Sequence, residues 1–248
     1  MAKILVLLTA TKTLGLLDGR EHPSGFWAEE LVVPYELFVQ AGYEVDIATS
    51  GGTIPHPDQT SLTIAVVGFT RPDDSPLQCA KDVDHYKQVI DSIDQLRQPL
   101  NTNDISKDDL AGYAGVFISG GHGAMADMPG DSKMTRIVRY ALELDLPLAA
   151  VCHGHSALLP LRDSESEWPL RGYKMTAFSR EEELVTEIAG NLPFVLQVEL
   201  QRLGAYYEKA ETIWDSHVVT DRNLITGQNP YSSAALAETF VSHLAAAR

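Results

Sequence analysis

Short apolar runs alternate along the whole chain with longer stretches in which apolar residues recur at helical spacing. Continuous apolar runs are typical of strands that are buried on both faces of a parallel sheet. The predicted strands are Lys3–Leu8, Tyr43–Ala48, Gly115–Ile118, Leu148–Val151, Tyr173–Ala177, a short one at Leu62–Val67, and a hairpin of His217–Thr220 with Leu224–Thr226.

The intervening stretches predict helices, and the polar segment Thr9–Ser24 predicts a loop. The predicted helices are Phe26–Ala41, Asp82–Leu96, Ser106–Leu110, Asp131–Leu144, Glu181–Ala189, Pro193–Leu203 and Ser232–Ala246. Alternating strands and helices over this length predict an α/β fold, a doubly wound and mostly parallel sheet with helices on both faces. Ligands bind such sheets at the carboxyl ends of the strands.

One of these strand ends carries a reactive residue type. The apolar run Leu146–Val151 leads into Cys152-His153-Gly154 and then into a sequence with helical character. This pattern predicts a nucleophile elbow with Cys152 at its apex, where the helix N-terminus is expected to lower the thiol pKa. The alternative is a small buried cysteine that only fills the strand end.

Further residues could complete a site around this thiol. The glycine turn Gly120-Gly121-His122-Gly123 follows another strand, and its residues Gly120, Gly121 and His122 are candidates for contacting the substrate. The backbone N–H groups of Gly121 and His153 are candidate oxyanion donors. His153 is expected to point away from Cys152 unless the turn is tight. Glu181, Glu182 and Glu183 are the candidate acids for orienting the histidine. Glu29-Glu30 offers a carboxylate whose pKa burial would raise.

Composition narrows the function classes. The 248 residues carry a net charge of −15, which argues against nucleic acid or an anionic membrane as partner. With only Cys79 and Cys152, the chain has no disulfide framework, as expected in a reducing cytoplasm. The apolar N-terminal run is too short for a membrane span and lacks a signal-peptide cleavage pattern. The histidines show no tight metal-ligand spacing, so no metal site is predicted.

Several blocks, in order through essentially the whole chain, carry a resemblance to a known family. They are Gly25-Phe26-Trp27 with Glu30 before Pro34, Ala41–Val45, Gly51-Gly52, Ser119–Gly123 with Asp127 and Pro129, Ala150–Gly154, Thr176–Phe178 and Leu224–Pro230. Together these blocks resemble the ThiJ/PfpI superfamily, and within it the heat-shock chaperone and glyoxalase III branch. The resemblance implies a glutamine-amidotransferase-like flavodoxin fold, with one domain over residues 1–248 and a family-type insertion at about residues 69–110.

The resemblance also implies roles. Cys152 would be the nucleophile, His153 the triad histidine and Glu30 the buried general acid and base. Glu183 would be the triad acid, with Glu182 as the runner-up. The implied activity is the glutathione-independent, cofactor-free conversion of methylglyoxal to D-lactate by a cytoplasmic homodimer.

Two positions depart from the family pattern, and two other functions remain open. His155 replaces the usual proline of Cys-His-Gly-Pro, and Ala126 replaces a bulky aromatic residue, which predicts a wider and more polar pocket. The same cysteine, histidine and glutamate could serve an amidase, peptidase or deglycase. A stress chaperone or a redox sensor using Cys152 is the third interpretation.

Overall fold

The computed structural model describes residues 2–71, 73–161 and 167–246 of the chain. The strands in chain order are β1 Lys3–Leu7, β2 Thr13–Gly15, β3 Glu21–Pro23, β4 Glu44–Thr49, β5 Leu100–Asn101, β6 Tyr113–Ile118, β7 Leu148–Val151, β8 Lys174–Met175, β9 Tyr206–Tyr207, β10 Val218–Asp221 and β11 Leu224–Gly227. The helices are α1 Ala28–Gln40, α2 Ile64–Thr70, α3 Pro76–Ser92, α4 Lys107–Leu110, α5 Ala124–Asp127, α6 Ser132–Glu143, α7 Arg180–Glu183, α8 Leu196–Leu203 and α9 Ser233–Ala246.

A seven-stranded sheet forms the centre, in the order β10-β11-β7-β6-β1-β4-β5. All neighbours run parallel except the β10–β11 hairpin at one edge. Leu7 of β1 pairs with Ile118 of β6, and Ile118 pairs with Ala150 of β7. The loops after these three strands therefore meet at one end of the sheet.

Each face of the sheet has its own hydrophobic core, because successive strand residues point to opposite sides. Leu5 and Leu7 of β1 pack with the apolar faces of α6 and α8. Ile4 and Val6 pack with α1 and α9 on the other face, where Phe38, Phe117 and Phe240 form an aromatic cluster. The flavodoxin-like, doubly wound α/β fold that the sequence predicted is thereby confirmed.

Three local predictions were wrong. Leu62–Val67 is not a strand: Ile64–Thr70 forms α2, and the Thr63 hydroxyl caps it by accepting from the Val66 N–H. The predicted loop Thr9–Ser24 contains the β2–β3 hairpin. The predicted helix Glu181–Ala189 is limited to the single turn Arg180–Glu183 and continues as turns. Among the described residues, every helix is too short or too polar to cross a membrane.

Candidate active site

Cys152 lies at a sharp turn between β7 and a 3₁₀ segment, Cys152–Leu161. Its φ of +52° places a residue with a side chain in the left-handed region, which costs about 1–3 kcal/mol. Gly154 makes the tight turn possible, because a Cβ there would lie 2.7 Å from the Ile118 carbonyl oxygen. The elbow predicted from the sequence is present, although a 3₁₀ segment and not an α-helix follows it.

The tight turn brings the His153 ring back toward the thiol. Its Nδ1 lies 3.3 Å from the Sγ of Cys152, and its Nε2 lies 2.9 Å from Oε2 of Glu183. A carboxylate can only accept, so Nε2 carries the proton and Nδ1 is left as the acceptor for the thiol proton. His153 was expected to point away from Cys152 unless the turn is tight. The turn is tight, and the ring faces the thiol.

Glu183 accepts hydrogen bonds from two histidines. His122 Nε2 donates to its Oε1 at 2.8 Å while His153 donates to Oε2, and the two imidazole rings lie 4.1 Å apart. Burial alone would raise the pKa of Glu183, but the adjacent His153 and His122 hold it well below its usual range. The carboxylate is therefore charged and orients both rings.

Glu182 has a different task. Its Oε2 accepts from the N–H and hydroxyl of Ser179 at 2.9 and 2.7 Å, which caps α7. Its Oε1 accepts from Asn229 Nδ2 at 2.8 Å and from the Trp214 N–H at 3.1 Å. The spacing Ser179-x-x-Glu182 is that of a capping box, and this signal in the sequence could have separated the two glutamates in advance.

Glu30 lies fully buried beside the thiol. Burial raises its pKa to about 8; the adjacent Cys152 side chain lowers it, and Glu29 raises it further. Neither carboxyl oxygen has another side-chain partner within the part of the chain that the structure describes. Glu30 is therefore a carboxylic acid near neutral pH, as burial was expected to make it.

The prediction of a lowered thiol pKa was wrong. Burial raises the pKa of Cys152 well above its usual value, and the neighbouring Glu30 raises it further. The backbone N–H groups of Gly121 and His153 act in the opposite direction but are outweighed. Sequence alone could not show that the elbow is buried, and desolvation here exceeds any effect of the segment's N-terminus.

The two adjacent glycines of the turn, Gly120 and Gly121, face different parts of the site. Gly121, with φ +100°, lines the cavity and turns its N–H toward the Cys152 sulfur together with that of His153. Gly120 faces Glu30 instead, because a Cβ there would lie 2.5 Å from the Glu30 Oε2. Gly120 was predicted to contact the substrate, but its absent side chain makes room for the buried acid.

A cavity of about 260 Å³ opens onto Cys152. Apolar and aromatic residues make up much of its wall: Trp27, Val66, Phe69, Gly121, Cys152, Phe178, Val185, Ile188, Trp214 and Pro230. Polar residues complete the lining: His22, Asp58, Thr60, Thr70, His122, His153, Thr186 and Glu187. The wider and more polar pocket stays a prediction, but its stated cause does not hold, because neither departing residue lines this space. His155 is buried under the elbow, with Nδ1 2.8 Å from the Cys152 carbonyl oxygen, and Ala126 is exposed elsewhere.

Glu29, the other half of the acidic pair, is bound to Arg71 at the end of α2. Arg71 also contacts the Tyr86 hydroxyl and, at 2.8 Å, Asp82 of α3. Burial raises the pKa of Glu29 to about 7, against the opposing charge of Arg71. This ion pair, which the sequence gave no sign of, ties α2 and its pocket residues to α1.

His122, His153 and Glu183 also have the geometry of possible metal ligands. Each offers one ligand atom, and these atoms lie within 4.8 Å of one another. The sequence predicted no metal site because the three residues come from segments far apart in the chain. The same atoms already make the contacts among His122, Glu183, His153 and the thiol, so a bound cation would compete with those contacts.

The sheet, the elbow and the Cys152–His153–Glu183 contacts define an α/β protein with a cysteine, a histidine and a carboxylate in hydrogen-bond sequence at a strand end. A family model described as "DJ-1/PfpI family" matches residues 23–243. The chain therefore belongs to the DJ-1/PfpI family, which confirms the resemblance to the ThiJ/PfpI superfamily.

Named relatives give more detail. Glyoxalase 3 of Candida albicans is 30% identical over 98% of this chain and 98% of its own length. The crystal structure of glyoxalase III from the same organism has a TM-score of 0.75 and 25% identity, covering 97% of this chain and 96% of that one. A protein/nucleic acid deglycase HchA from Staphylococcus aureus is 26% identical over 98% of this chain and 80% of its own length.

Proposed function

We propose that this chain is a glutathione-independent glyoxalase III-type enzyme that converts methylglyoxal to D-lactate through Cys152. The observation that carries the proposal is that one thiol has both a proton-accepting imidazole and a buried carboxylic acid beside it. A hydrolase needs only the cysteine, histidine and orienting acid. Moving a proton between adjacent carbons uses a further acid–base group, and Glu30 is that group.

The first step joins the thiol to the aldehyde. His153 Nδ1 accepts the thiol proton, and Sγ adds to the aldehyde carbon as its C=O π bond opens. The N–H groups of Gly121 and His153 hold the developing oxyanion, which then takes the proton from His153. The product is a neutral hemithioacetal on Cys152. The raised thiol pKa makes His153 essential here, because little thiolate exists before substrate binds.

The second step moves hydrogen from the first carbon to the second. His153 removes the carbon-bound proton while Glu30, protonated near neutral pH, gives its proton to the ketone oxygen, forming an enediol. His153 then protonates the second carbon, and the hydroxyl proton of the first carbon returns to Glu30. The result is a lactoyl thioester, reached without an external oxidant or reductant.

Water completes the cycle. His153 takes a proton from the water that adds to the thioester carbonyl, and the same backbone N–H groups hold the oxyanion. The C–S bond breaks, the thiolate regains its proton from His153, and lactate leaves. Glu183 stays charged throughout and stabilises the protonated ring.

The direct test incubates purified protein with methylglyoxal in the absence of glutathione and measures D-lactate. Wild type should form D-lactate, Cys152→Ala should form none, and Glu30→Gln should lose at least about a hundredfold in kcat. Cys79→Ala is the matched control, because Cys79 lies on α3, buried against Val67 of α2, and is not among the residues that line the cavity. The proposal fails if wild type makes no product or if Cys152→Ala matches it.

Because some relatives are named deglycases, the test should also include a glycated thiol as a second class of substrate. The adduct of methylglyoxal with N-acetylcysteine can be supplied in place of free methylglyoxal, with scavenging of the free aldehyde as the control. Release of the thiol faster than its spontaneous rate would favour a deglycase. A redox-sensor role is disfavoured, since sensor cysteines have a low pKa and that of Cys152 is raised.

A further inference from the structure

The cavity carries a row of aromatic rings that the proposed chemistry does not use. Phe178 lies 4.6 Å from the His153 ring, Trp214 lies 5.6 Å from Phe178, and Phe69 lies 5.5 Å from Trp214, measured between ring centroids. All three line the cavity. We call Phe178, Trp214 and Phe69 the aromatic wall; it runs from the triad to α2.

The middle ring of this wall is held at a cost to the backbone. Trp214 has a φ of +69°, where a bulky side chain is a rare outlier costing about 1–3 kcal/mol. Polar contacts fix the strained segment on both sides: Glu182 accepts from the Trp214 N–H, and Asn229 donates to the carbonyl oxygen of Asp215 at 2.9 Å. Strain sustained by such contacts points to a function for the indole ring.

The outer ring is also anchored. Phe69 belongs to α2, whose end is tied to α1 by the Arg71–Glu29 ion pair. Its side chain is nonetheless 54% exposed, whereas Phe178 is only 4% exposed. A large apolar ring kept in place yet left half-uncovered offers surface to a ligand, not to the core.

The cavity is large for methylglyoxal. A cavity of about 150 Å³ can hold a benzene ring. The space in front of Cys152 is about 260 Å³, so it accepts such a ring and still leaves room for a two-carbon oxoaldehyde at the thiol. Ligand sites bury most of their ligand's surface, which a methyl group here would not achieve.

We propose that the preferred substrates are 2-oxoaldehydes with an aryl substituent, whose ring stacks on the aromatic wall while the aldehyde carbon reaches Cys152. This inference rests on the proposed function and specifies its substrate class. Offset or edge-on ring contacts strengthen binding beyond apolar burial alone. With phenylglyoxal the product is mandelate: water is added, the aldehyde carbon is oxidised and the ketone carbon is reduced within the same molecule.

The test compares kcat/KM for phenylglyoxal and methylglyoxal in wild type, Trp214→Gly, Phe69→Ala and the control Tyr206→Ala. Glycine at position 214 adopts the positive φ freely, so this variant removes the ring without straining the backbone. Wild type should favour phenylglyoxal by roughly tenfold, and Trp214→Gly should remove most of that preference. Phe69→Ala should reduce the preference in part. Tyr206 is exposed on β9 outside the cavity lining, so Tyr206→Ala should keep it.

A binding measurement separates this inference from the chemistry. Calorimetric titration with D-mandelate and D-lactate should show tighter binding of mandelate to wild type but not to Trp214→Gly. Turnover of methylglyoxal without an aryl preference overturns the inference and leaves the proposed function standing. If neither oxoaldehyde reacts but mandelate binds through Trp214, the proposed function falls and the aryl site stands. Equal binding of mandelate and lactate overturns the aryl site whatever the turnover.

Discussion

Glu29 and Glu30 are adjacent on α1, yet their carboxylates have different partners: Glu29 pairs with Arg71, and Glu30 lies beside the Cys152 thiol. One carboxylate is therefore paired with a residue at the end of α2, while the other is placed for the proposed proton transfer. Both are buried, and burial raises the pKa of each. Their separate roles lead to separate experimental signatures.

Glu30 should make the fold less stable as pH rises. Its pKa is raised from 4.5 to about 8, so between these values the unfolded chain loses a proton that the folded state keeps. The free energy of unfolding falls through this window, and the stabilisation present at low pH is lost by about pH 8. Glu30→Gln removes this titrating group. At pH 8 the free energy of unfolding of the variant should exceed that of wild type by roughly 1–3 kcal/mol, with little difference near pH 5. Urea titrations at both pH values measure this; a constant difference would contradict it.

Arg71 should contribute to stability mainly through Glu29. Arg71→Met leaves a buried carboxylate without its cation, which should cost roughly 3 kcal/mol in urea unfolding. Glu29→Gln combined with Arg71→Met should recover much of that loss, because the carboxylates still left without their cation, on Asp74 and Asp82, are more exposed than that of Glu29. Additive losses in the double variant would mean that the two side chains act independently.

Glu182 and Glu183 should differ in their effect on kcat when each is replaced by glutamine. Glu183→Gln removes the charge that orients His153 and should lower kcat at least about a hundredfold, and Tm should fall as well, because the lowered pKa of Glu183 means that its charge stabilises the fold. Glu182→Gln disturbs the contacts to Ser179 and Asn229 and should cost about 1–3 kcal/mol of stability. Its kcat for methylglyoxal should change far less. The reverse pattern would make Glu182 the triad acid.

Added Zn²⁺ should inhibit turnover of methylglyoxal, whereas removal of metal ions with EDTA should leave turnover unchanged. His122, His153 and Glu183 supply nitrogen and oxygen ligands that suit Zn²⁺, and the ion would occupy the groups that activate the thiol. Activity should survive EDTA treatment, fall on adding Zn²⁺ and return with EDTA. His122→Ala should raise the Zn²⁺ concentration for half-inhibition at least about tenfold. Mg²⁺ is the control, since it prefers oxygen ligands; loss of activity with EDTA alone would contradict a metal-free mechanism.

The sequence predicted the sheet well because its central strands are continuous apolar runs with both faces buried. It also indicated Cys152 and His153 as site residues, because they follow a strand end of a parallel sheet. Glu30, on α1, was indicated by the family resemblance and not by this convergence. It misled at Leu62–Val67, where β-branched residues favour a strand but the Thr63 cap and packing against α3 favour a helix.

Burial and contacts between distant segments could not be predicted from the sequence. The thiol pKa of Cys152 depends on desolvation, which local patterns do not report. The pairing of Arg71 with Glu29 and the placement of Trp214 join segments far apart in the chain. His155 appeared to belong to the pocket only because it follows the elbow closely; the tight turn sends its side chain beneath it.

The left-handed backbone at Cys152 has a consequence for how this chain can change. Glycine is the residue that this conformation suits, so Cys152→Gly should relieve the strain while removing the proposed nucleophile. Replacing the buried acid at position 30 by a neutral residue would likewise favour the folded state. A laboratory selection for heat resistance alone would therefore remove the reactive centre first, and any thermostable descendant that keeps its activity must gain its stability elsewhere.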